Sequence, residues 1–410
     1  MKVIHVVSSD TGGAARAAIR INESLNNCNE SVISNVMVIN KSTINNSVKN
    51  IADNKLKKII KIINNQINNI LLRKYDTSSL FSHSKMGFDI IKDKDIVDCD
   101  IINLHWINQG MLSYNSLKRL KRLKKPIVWT LHDMWAFTGG CHYDEDCGKY
   151  KLNCGQCRVL GSKNKKDLSS RIQIKKEKIY SDMNLTVVGC SSWITECAIK
   201  SRVLKNKISI NIPNTINTSN FKPINSKIAK EILNIDTNKK IILFGAMSST
   251  SDKRKGFLYL LEAVKKLDRK KYLAIIFGDN SKNNNIEKYL ETRYFGQLTD
   301  DYTLALLYSA SDVFVAPSTQ ENLANTIMES LACGTPAVAF NIGGMHDLIK
   351  HKFNGYLSEP FKAESLVNGI KYCLTNNKLL GENSRRYVLD NYSNNIVAKK
   401  YIELYTELLK

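Results

Sequence analysis

The sequence predicts an α/β protein of two successive parallel-sheet domains, and three observations predict it. Over the first half, short apolar runs alternate with helical patterns, the signature of parallel strands joined by crossover helices. Around Ile212-Pro213-Asn214 the alternation stops, a polar stretch runs through Phe221-Lys222-Pro223, and a second alternation begins. A chain of 410 residues also exceeds what one hydrophobic core ordinarily organises, so two domains of comparable size are expected.

The expected strands of the first half are Lys2 to Ser8, Ser34 to Asn40, Asp100 to His105, Ile127 to Leu131 and Leu185 to Cys190. The opening run closes in the turn Thr11-Gly12-Gly13 and reads as a strand, not as the apolar core of a signal peptide. Between the second and third strands, Leu56, Ile59, Ile60, Ile63, Ile67, Ile70 and Leu71 recur at spacings of three and four. They predict an amphipathic helix within Asn54 to Tyr75, with Lys55, Lys57, Lys58 and Lys61 on or near its polar side. Two fates are open to it: the apolar face packs on the first sheet, or the basic helix, with Ser116 to Lys125, suits an anionic membrane surface.

Strands of the second half are expected at Lys240 to Gly245, Leu273 to Gly278, Thr292 to Phe295, Val313 to Ala316 and Ala337 to Phe340. From Ala363 onward the spacing of Leu366, Ile370 and Cys373, and later Val397, Tyr401, Leu404, Tyr405 and Leu408, reads as closing helices. The expected division is residues 1–215, residues 216–390 and a terminal helix, 391–410.

With 60 Lys and Arg against 38 Asp and Glu, the formal charge of +22 favours anionic partners such as nucleic acid, acidic lipid or phosphorylated substrates. No helix-turn-helix, zinc-finger or aromatic-interleaved basic signature accompanies that charge, so nucleic acid is not the expected partner. No apolar stretch approaches the roughly 18 residues of a membrane-spanning helix. The expected setting is therefore cytoplasmic or membrane-peripheral, where the ten cysteines are free thiols or metal ligands.

The most informative string is Glu321-Asn322-Leu323-Ala324-Asn325-Thr326-Ile327-Met328-Glu329, which follows the strand ending near Pro317. A strand-loop-helix order there leaves amides near Asn325 and Thr326 at a helix N-terminus, where the dipole favours a phosphate. Glu321 in the loop would face a sugar, and Glu329 one turn on would accept ribose hydroxyls; on spacing alone, two solvated glutamates on a capped helix explain the string as well.

The full string resembles the E-x7-E signature of the family-four retaining glycosyltransferases, which share the GT-B fold. The resemblance extends through Leu331 to Gly334, Thr335-Pro336 and Gly343-Gly344, and covers nearly the whole chain in family order. It implies two Rossmann-like domains facing a cleft, with the terminal helix returning to the N-terminal domain. It implies a donor site in which Gly12 and Gly13 approach a diphosphate, Lys255 holds the donor phosphates, and His132 lies beside the donor sugar. Relatives often carry Gly-Arg where this chain has Gly245-Ala246, and the arginine's work would fall to Arg254.

The reaction so implied moves a sugar from a nucleotide-sugar donor to a saccharide or lipid-linked acceptor, as in bacterial surface-polysaccharide synthesis. It proceeds with retention by same-face attack, the leaving diphosphate taking the acceptor proton, and requires no metal. A sugar-nucleotide epimerase or a phosphorylase of the same fold is the alternative, and a basic nucleic-acid-binding protein the alternative of another class. Separately, Cys141, Cys147, Cys154 and Cys157 form C-x5-C-x6-C-x2-C in a loop starting nine residues after His132. Structural zinc, reduced buried cysteines and a redox pair are all compatible with that spacing.

Overall fold

The computed structural model describes residues 1–245, 250–279, 285–298 and 300–410. Its contacts divide the chain into two compact units, Met1–Asn214 with Val397–Lys410, and Thr215–Ile396.

In the first unit, β1 (Lys2–Val6), β2 (Ile33–Val38), β3 (Val48–Asn50), β4 (Ile101–Leu104), β5 (Ile127–Leu131), β6 (Leu185–Gly189) and β7 (Ser209–Asn211) form one parallel sheet. Its order is β3-β2-β1-β4-β5-β6-β7, and α1 (Gly13–Cys28), α2 (Lys55–Ile70), α3 (Lys94–Asp98), α4 (Tyr114–Leu120), α5 (Leu168–Tyr180) and α6 (Ser192–Lys200) make the connections. Both faces of the sheet are covered at its centre, where β4, β5 and β6 are buried at every residue. Along β1, Ile4 and Val6 enter one core while Val3 enters the other, as the two-residue period of a strand requires. The second core also takes Ile21 and Leu25 of α1 and Val397, Tyr401 and Tyr405 near the chain's end. Buried polar groups tie that layer: the Asn103 amide donates to the Tyr405 hydroxyl at 2.7 Å, and Thr130 donates to Asn103 at 3.0 Å.

The second unit opens with α7 (Ser226–Ile232). Its strands are β8 (Lys240–Gly245), β9 (Tyr272–Phe277), β10 (Glu291–Tyr294), β11 (Val313–Ala316), β12 (Ala337–Phe340) and β13 (Gly355–Ser358), parallel in the order β10-β9-β8-β11-β12-β13. They are linked and followed by α8 (Phe257–Val264), α9 (Asp301–Ala310), α10 (Asn325–Ala332), α11 (Met345–Leu348), α12 (Ala363–Thr375) and α13 (Asn377–Tyr392). The last helix, α14 (Asn394–Leu408), carries the chain back into the first unit. Two Rossmann-like parallel sheets with a terminal helix against α1 are the GT-B arrangement of elements.

All ten expected strands are present to within two residues, and three more appear: β3, β7 and β13. Each is an edge strand of three or four residues, Val-Lys-Asn, Ser-Ile-Asn and Gly-Tyr-Leu-Ser. An edge strand covered on fewer sides needs no continuous apolar run, so hydropathy does not mark it.

The helix α2 corrects the expectation that its apolar face packs on the sheet. Leu56, Ile59, Ile62 and Ile70 are each more than half exposed, while the only buried residues of the helix are Asn64 and Asn68. The polar face is the docked one. Asn68 exchanges two hydrogen bonds with the backbone of Met86, both at 3.0 Å, and Lys61 donates to the Asn40 side chain at 2.9 Å. Gly110 approaches so closely that an added Cβ would lie 3.1 Å from the Asn64 Cβ. Directional bonds from short amides, and not apolar burial, hold this helix in place.

Candidate active site

Ligand sites of open parallel sheets lie beyond the carboxyl ends of the strands, and in both units the expected residues gather there. In the first unit, Gly12 has φ of 99° and α1 begins at Gly13, without a side-chain cap. A Cβ built on either glycine meets nothing within 4 Å, so the turn borders open space that a bulky anion can approach.

His132 follows β5 directly and does not stand alone. Its Nε2 lies 2.9 Å from Nδ1 of His105, whose Nε2 lies 2.8 Å from Nδ1 of His5. Strands β1, β4 and β5 are consecutive neighbours in the sheet, and these histidines occupy the ends or near-ends of all three. Burial lowers all three: His5 to about 3, His132 to about 4, and His105 well below its ordinary value. The row is therefore neutral at pH 7.

Neutrality gives the row a direction. His5 Nε2 is buried and finds no hydrogen-bond partner among the described residues. A buried N–H without an acceptor costs more than an unfilled lone pair, so the His5 proton sits on Nδ1 and is donated to His105. His105 then carries its proton on Nδ1 and donates to His132 Nε2. His132 is left with its proton on Nδ1, as a hydrogen-bond donor at the end of the row.

Beside it, Asp133 accepts from His142 Nδ1 at 2.6 Å, from Trp106 Nε1 at 2.8 Å and from the Trp135 amide at 2.8 Å. Burial pushes this carboxyl up, but His142 and these donors outweigh burial and hold it below the usual carboxylate range. The other ring nitrogen of His142 lies 2.8 Å from Ser82 Oγ. The resulting Ser82–His142–Asp133 line anchors the loop after β5 and leaves the carboxylate ionised. Sequence reading singled out none of these partners. The one available signal was that β4 and β5 both run directly into a histidine.

In the second unit, Lys255 Nζ lies 2.7 Å from Glu321 Oε2, with side chains 21% and 12% exposed. Local geometry forces the pair together. Lys255 ends a 3-10 turn, Lys253–Lys255, and Gly256 follows with φ of 71°. A Cβ at Gly256 would sit 1.8 Å from the Pro317 carbonyl, so only glycine lets this turn press against the end of β11. The Thr319 amide completes the join, donating to the Arg254 carbonyl at 2.8 Å. On the other side, the Gly344 amide reaches the Glu321 carbonyl at 3.4 Å.

Asn325 and Thr326 are half-buried at the first turn of α10, where Ala324 at the cap position offers no side-chain hydrogen bond. Glu329 is on the same helix but fully buried, accepting from the Tyr308 hydroxyl at 3.1 Å. Glu321 and Glu329 thus do not share a surface. Arg254 pairs with Asp252 at 2.6 Å. Gly245 ends β8, whereas Ala246, the position lacking the expected arginine, lies outside the described residues. A separate cavity of ≈ 760 Å³ in this unit is lined by Pro223, Asp312, Gly334 and Arg385, at the amino ends of the strands and away from Glu321.

Cys141, Cys147, Cys154 and Cys157 all line one small cavity of ≈ 20 Å³, and every cysteine of the chain is a free thiol. Burial raises all four thiols, Cys154 to about 12. The backbone amides of Lys149, Gly139, Leu160 and Val159 draw the Cys147, Cys154 and Cys157 thiols the other way, towards the thiolate, but burial outweighs them. Among the described residues, however, no three Cys, His, Asp or Glu groups close to the geometry of a bound ion.

Residues 225–389, which include Lys255, Glu321 and Glu329, match the family described as Glycosyl transferases group 1. The match lies wholly within the second unit. Among curated relatives is the UDP-Gal:alpha-D-GlcNAc-diphosphoundecaprenol alpha-1,3-galactosyltransferase of Escherichia coli, 28% identical over 222 residues, covering 50% of this chain and 55% of the relative. The chain spans about half the length of the first curated relatives it matches. Among solved structures, sucrose-phosphate synthase from Thermosynechococcus elongatus has a TM-score of 0.69 at 18% identity, covering 99% of this chain and 98% of that one. HepE of Anabaena in complex with UDP and glucose has a TM-score of 0.68 at 15% identity, covering 99% of each chain. At such identities the likeness establishes the GT-B fold alone.

Proposed function

We propose that the protein is a retaining glycosyltransferase that moves a sugar from a nucleotide-diphosphate sugar to a saccharide or lipid-linked saccharide acceptor in surface-polysaccharide synthesis. The observation that carries this reading is the Lys255–Glu321 pair beside the first turn of α10. An ammonium and helix amides in one place suit a diphosphate, and a part-buried carboxylate next to them suits sugar hydroxyls. In the second unit the donor is assigned to Lys255, Arg254, Asn325 and Thr326; in the first, the Gly12 and Gly13 amides are assigned to an anion at the start of α1. Glu329, fully buried, is assigned to shaping the α10 turn from within. The acceptor class rests on the named activity of the E. coli relative, whose acceptor is a diphosphoundecaprenol lipid. Such an acceptor puts the working enzyme at a membrane face.

In this mechanism the protein orients reactants and stabilises the leaving diphosphate. Lys255 offsets the charge that develops as the glycosidic bond to phosphate breaks, and the diphosphate oxygen takes the acceptor proton. In the first unit, His132 Nδ1–H is assigned to donate to a sugar hydroxyl. Being neutral, it orients that hydroxyl without placing a cation beside an anomeric carbon that is itself becoming positive.

The four thiols are assigned to one structural zinc ion. All four line one small cavity, and binding would release thiol protons and draw the sulfurs inward. Zinc takes no part in transfer. The decisive experiment for function is a screen of nucleotide sugars for protein-dependent release of nucleotide, with and without a diphospho-lipid-linked saccharide. Release from no nucleotide sugar under either condition would overturn the reading.

A further inference from the structure

The cavity at the amino ends of the second sheet is not used by the transfer chemistry. Its volume of ≈ 760 Å³ falls inside the range of roughly 300–1,000 Å³ typical of small-molecule sites. The walls come from the start of α7, the first residue of β8, the turns that enter β11 and β12, and one side of α13.

These walls are fixed before any guest arrives. Arg385 reaches from α13 to the carbonyls of Thr218, Phe221 and Ala332 at 2.9, 2.6 and 2.9 Å. The Ile224 amide donates to Ser309 Oγ at 3.2 Å. Where α13 crosses the turn after α10, a Cβ on Gly381 would lie 2.4 Å from the Gly334 carbonyl oxygen, so only glycine lets these two walls meet. A cavity held open in this way costs a ligand little ordering.

Charge in the cavity is uneven. Lys230, Lys240, Lys378, Arg385 and Arg386 line it, against the acids Asp312 and Glu382. Lys240 pairs with Asp312 at 2.7 Å, and Arg385 is taken up by its three carbonyls. Arg386 donates to the Asn383 side chain at 2.9 Å and keeps further donors. Among the described residues, the side chains of Lys230, Lys378 and Glu382 make no hydrogen bond or ion pair. Lys378, Glu382 and Arg386 recur at spacings of four and share one side of α13.

We propose that this cavity binds a phosphorylated sugar, its phosphate held by Lys230, Lys378 and Arg386 and its hydroxyls by Glu382 and Ser226. Ammonium and guanidinium groups suit the phosphate. The carboxylate decides against a bare anion, because Glu382 would repel phosphate alone, whereas a sugar gives it hydroxyls to accept from. No aromatic side chain lines the cavity among the described residues, so a nucleobase would find no stacking surface there. The site is separate from the donor residues. Helix α10 begins at Asn325 and ends at Ala332, whose carbonyl Arg385 binds, so the two lie at opposite ends of a helix about 12 Å long. The inference does not depend on the transfer reaction.

Calorimetric titration of the full chain with glucose 6-phosphate and mannose 6-phosphate is the test. The phosphate of these probes is not on the anomeric carbon, so they do not mimic the linkage of a sugar nucleotide. Wild type is expected to bind at least one of them, and to bind free glucose and inorganic phosphate at least tenfold more weakly. Lys230→Gln with Lys378→Gln removes two unpaired charges and should weaken sugar-phosphate binding at least tenfold. Glu382→Gln should weaken the sugar phosphate but not inorganic phosphate, a split that a merely structural role would not produce. Lys255→Ala should bind the probes like wild type, and so should Lys371→Gln, at an exposed lysine of α12 outside the cavity. Circular dichroism of each variant matching wild type excludes misfolding. Absence of binding by wild type, or equal binding by the Lys230/Lys378 variant, would overturn the proposal. Inorganic phosphate binding as tightly as the sugar phosphates would mean an adventitious ion only and would overturn it too. Tighter binding of uridine monophosphate, lost in the Lys230/Lys378 variant, would replace the sugar phosphate with a nucleotide. Binding lost in Lys255→Ala but kept in the Lys230/Lys378 variant would move the ligand to the donor residues. Sugar-phosphate binding in the cavity of a protein that releases nucleotide from no sugar donor would leave this inference standing and remove the proposed activity.

Discussion

Nδ1 of His105 lies 2.9 Å from Nε2 of His132, and this one bond decides which nitrogen His132 presents. Replacing His105 with phenylalanine keeps a ring in a fully enclosed position but removes the donor. His132 is then free to adopt the other tautomer. The expected outcome is a fall in kcat of about 10- to 100-fold with little change in the donor KM, the pattern of a lost orienting contact. In the wild type, nitrogen-15 NMR should show a neutral His132 protonated at Nδ1 at pH 7. A His132 protonated at Nε2 would refute the assigned direction.

The same row predicts how the fold responds to acid. Burial lowers His132 to about 4 and His5 to about 3, so the unfolded chain binds these protons more readily than the native state. Stability is then full above the ordinary histidine value of about 6.5 and falls as the pH drops towards 4. Chemical denaturation between pH 7.5 and 4.5 should show the loss, and replacing His5 with glutamine should flatten it.

Glu321→Gln should nearly abolish transfer while the far-ultraviolet spectrum stays native, because the part-buried carboxylate pairs with Lys255 outside the apolar cores and glutamine keeps its size. Lys255→Ala should weaken both donor binding and turnover, since the ammonium faces the diphosphate before and during bond cleavage. Calorimetry with the active nucleotide sugar checks this. Wild-type donor affinity in Lys255→Ala would remove it from the phosphate site.

Gly256→Ala tests the join that brings Lys255 to Glu321. With φ of 71° and the Pro317 carbonyl 1.8 Å from the new Cβ, the turn must move, carrying Lys255 away. The expected result is a donor affinity lowered about as far as in Lys255→Ala, with a loss of stability on the order of 1–3 kcal/mol.

Purified without chelator, the protein is expected to contain about one equivalent of zinc, which the four-cysteine cavity would hold. Replacing Cys154 and Cys157 with serine should remove it. Elemental analysis that finds no zinc in the wild type would leave the four as reduced, buried thiols.

The sequence by itself determined the elements and their order. Continuous apolar runs mark strands buried on both faces, and glycines mark places where a Cβ has no room or must not intrude. The string from Glu321 to Glu329 marks a loop entering a helix. These are local matters, decided within a few residues. Tertiary structure decided what depends on residues far apart in the chain. His5, His105 and His132 become a row only because β1, β4 and β5 are neighbours in the sheet, an order that no local pattern contains. Glu329 has the spacing of a site residue yet points to Tyr308, because the face of α10 it occupies is the covered one. The helix α2 is the clearest case. Its periodicity correctly marks an amphipathic helix, but which side meets the protein was decided by Asn68 and Lys61 finding partners at Met86 and Asn40. Periodicity reports that two faces differ, and only the surrounding chain determines which of them is turned to solvent.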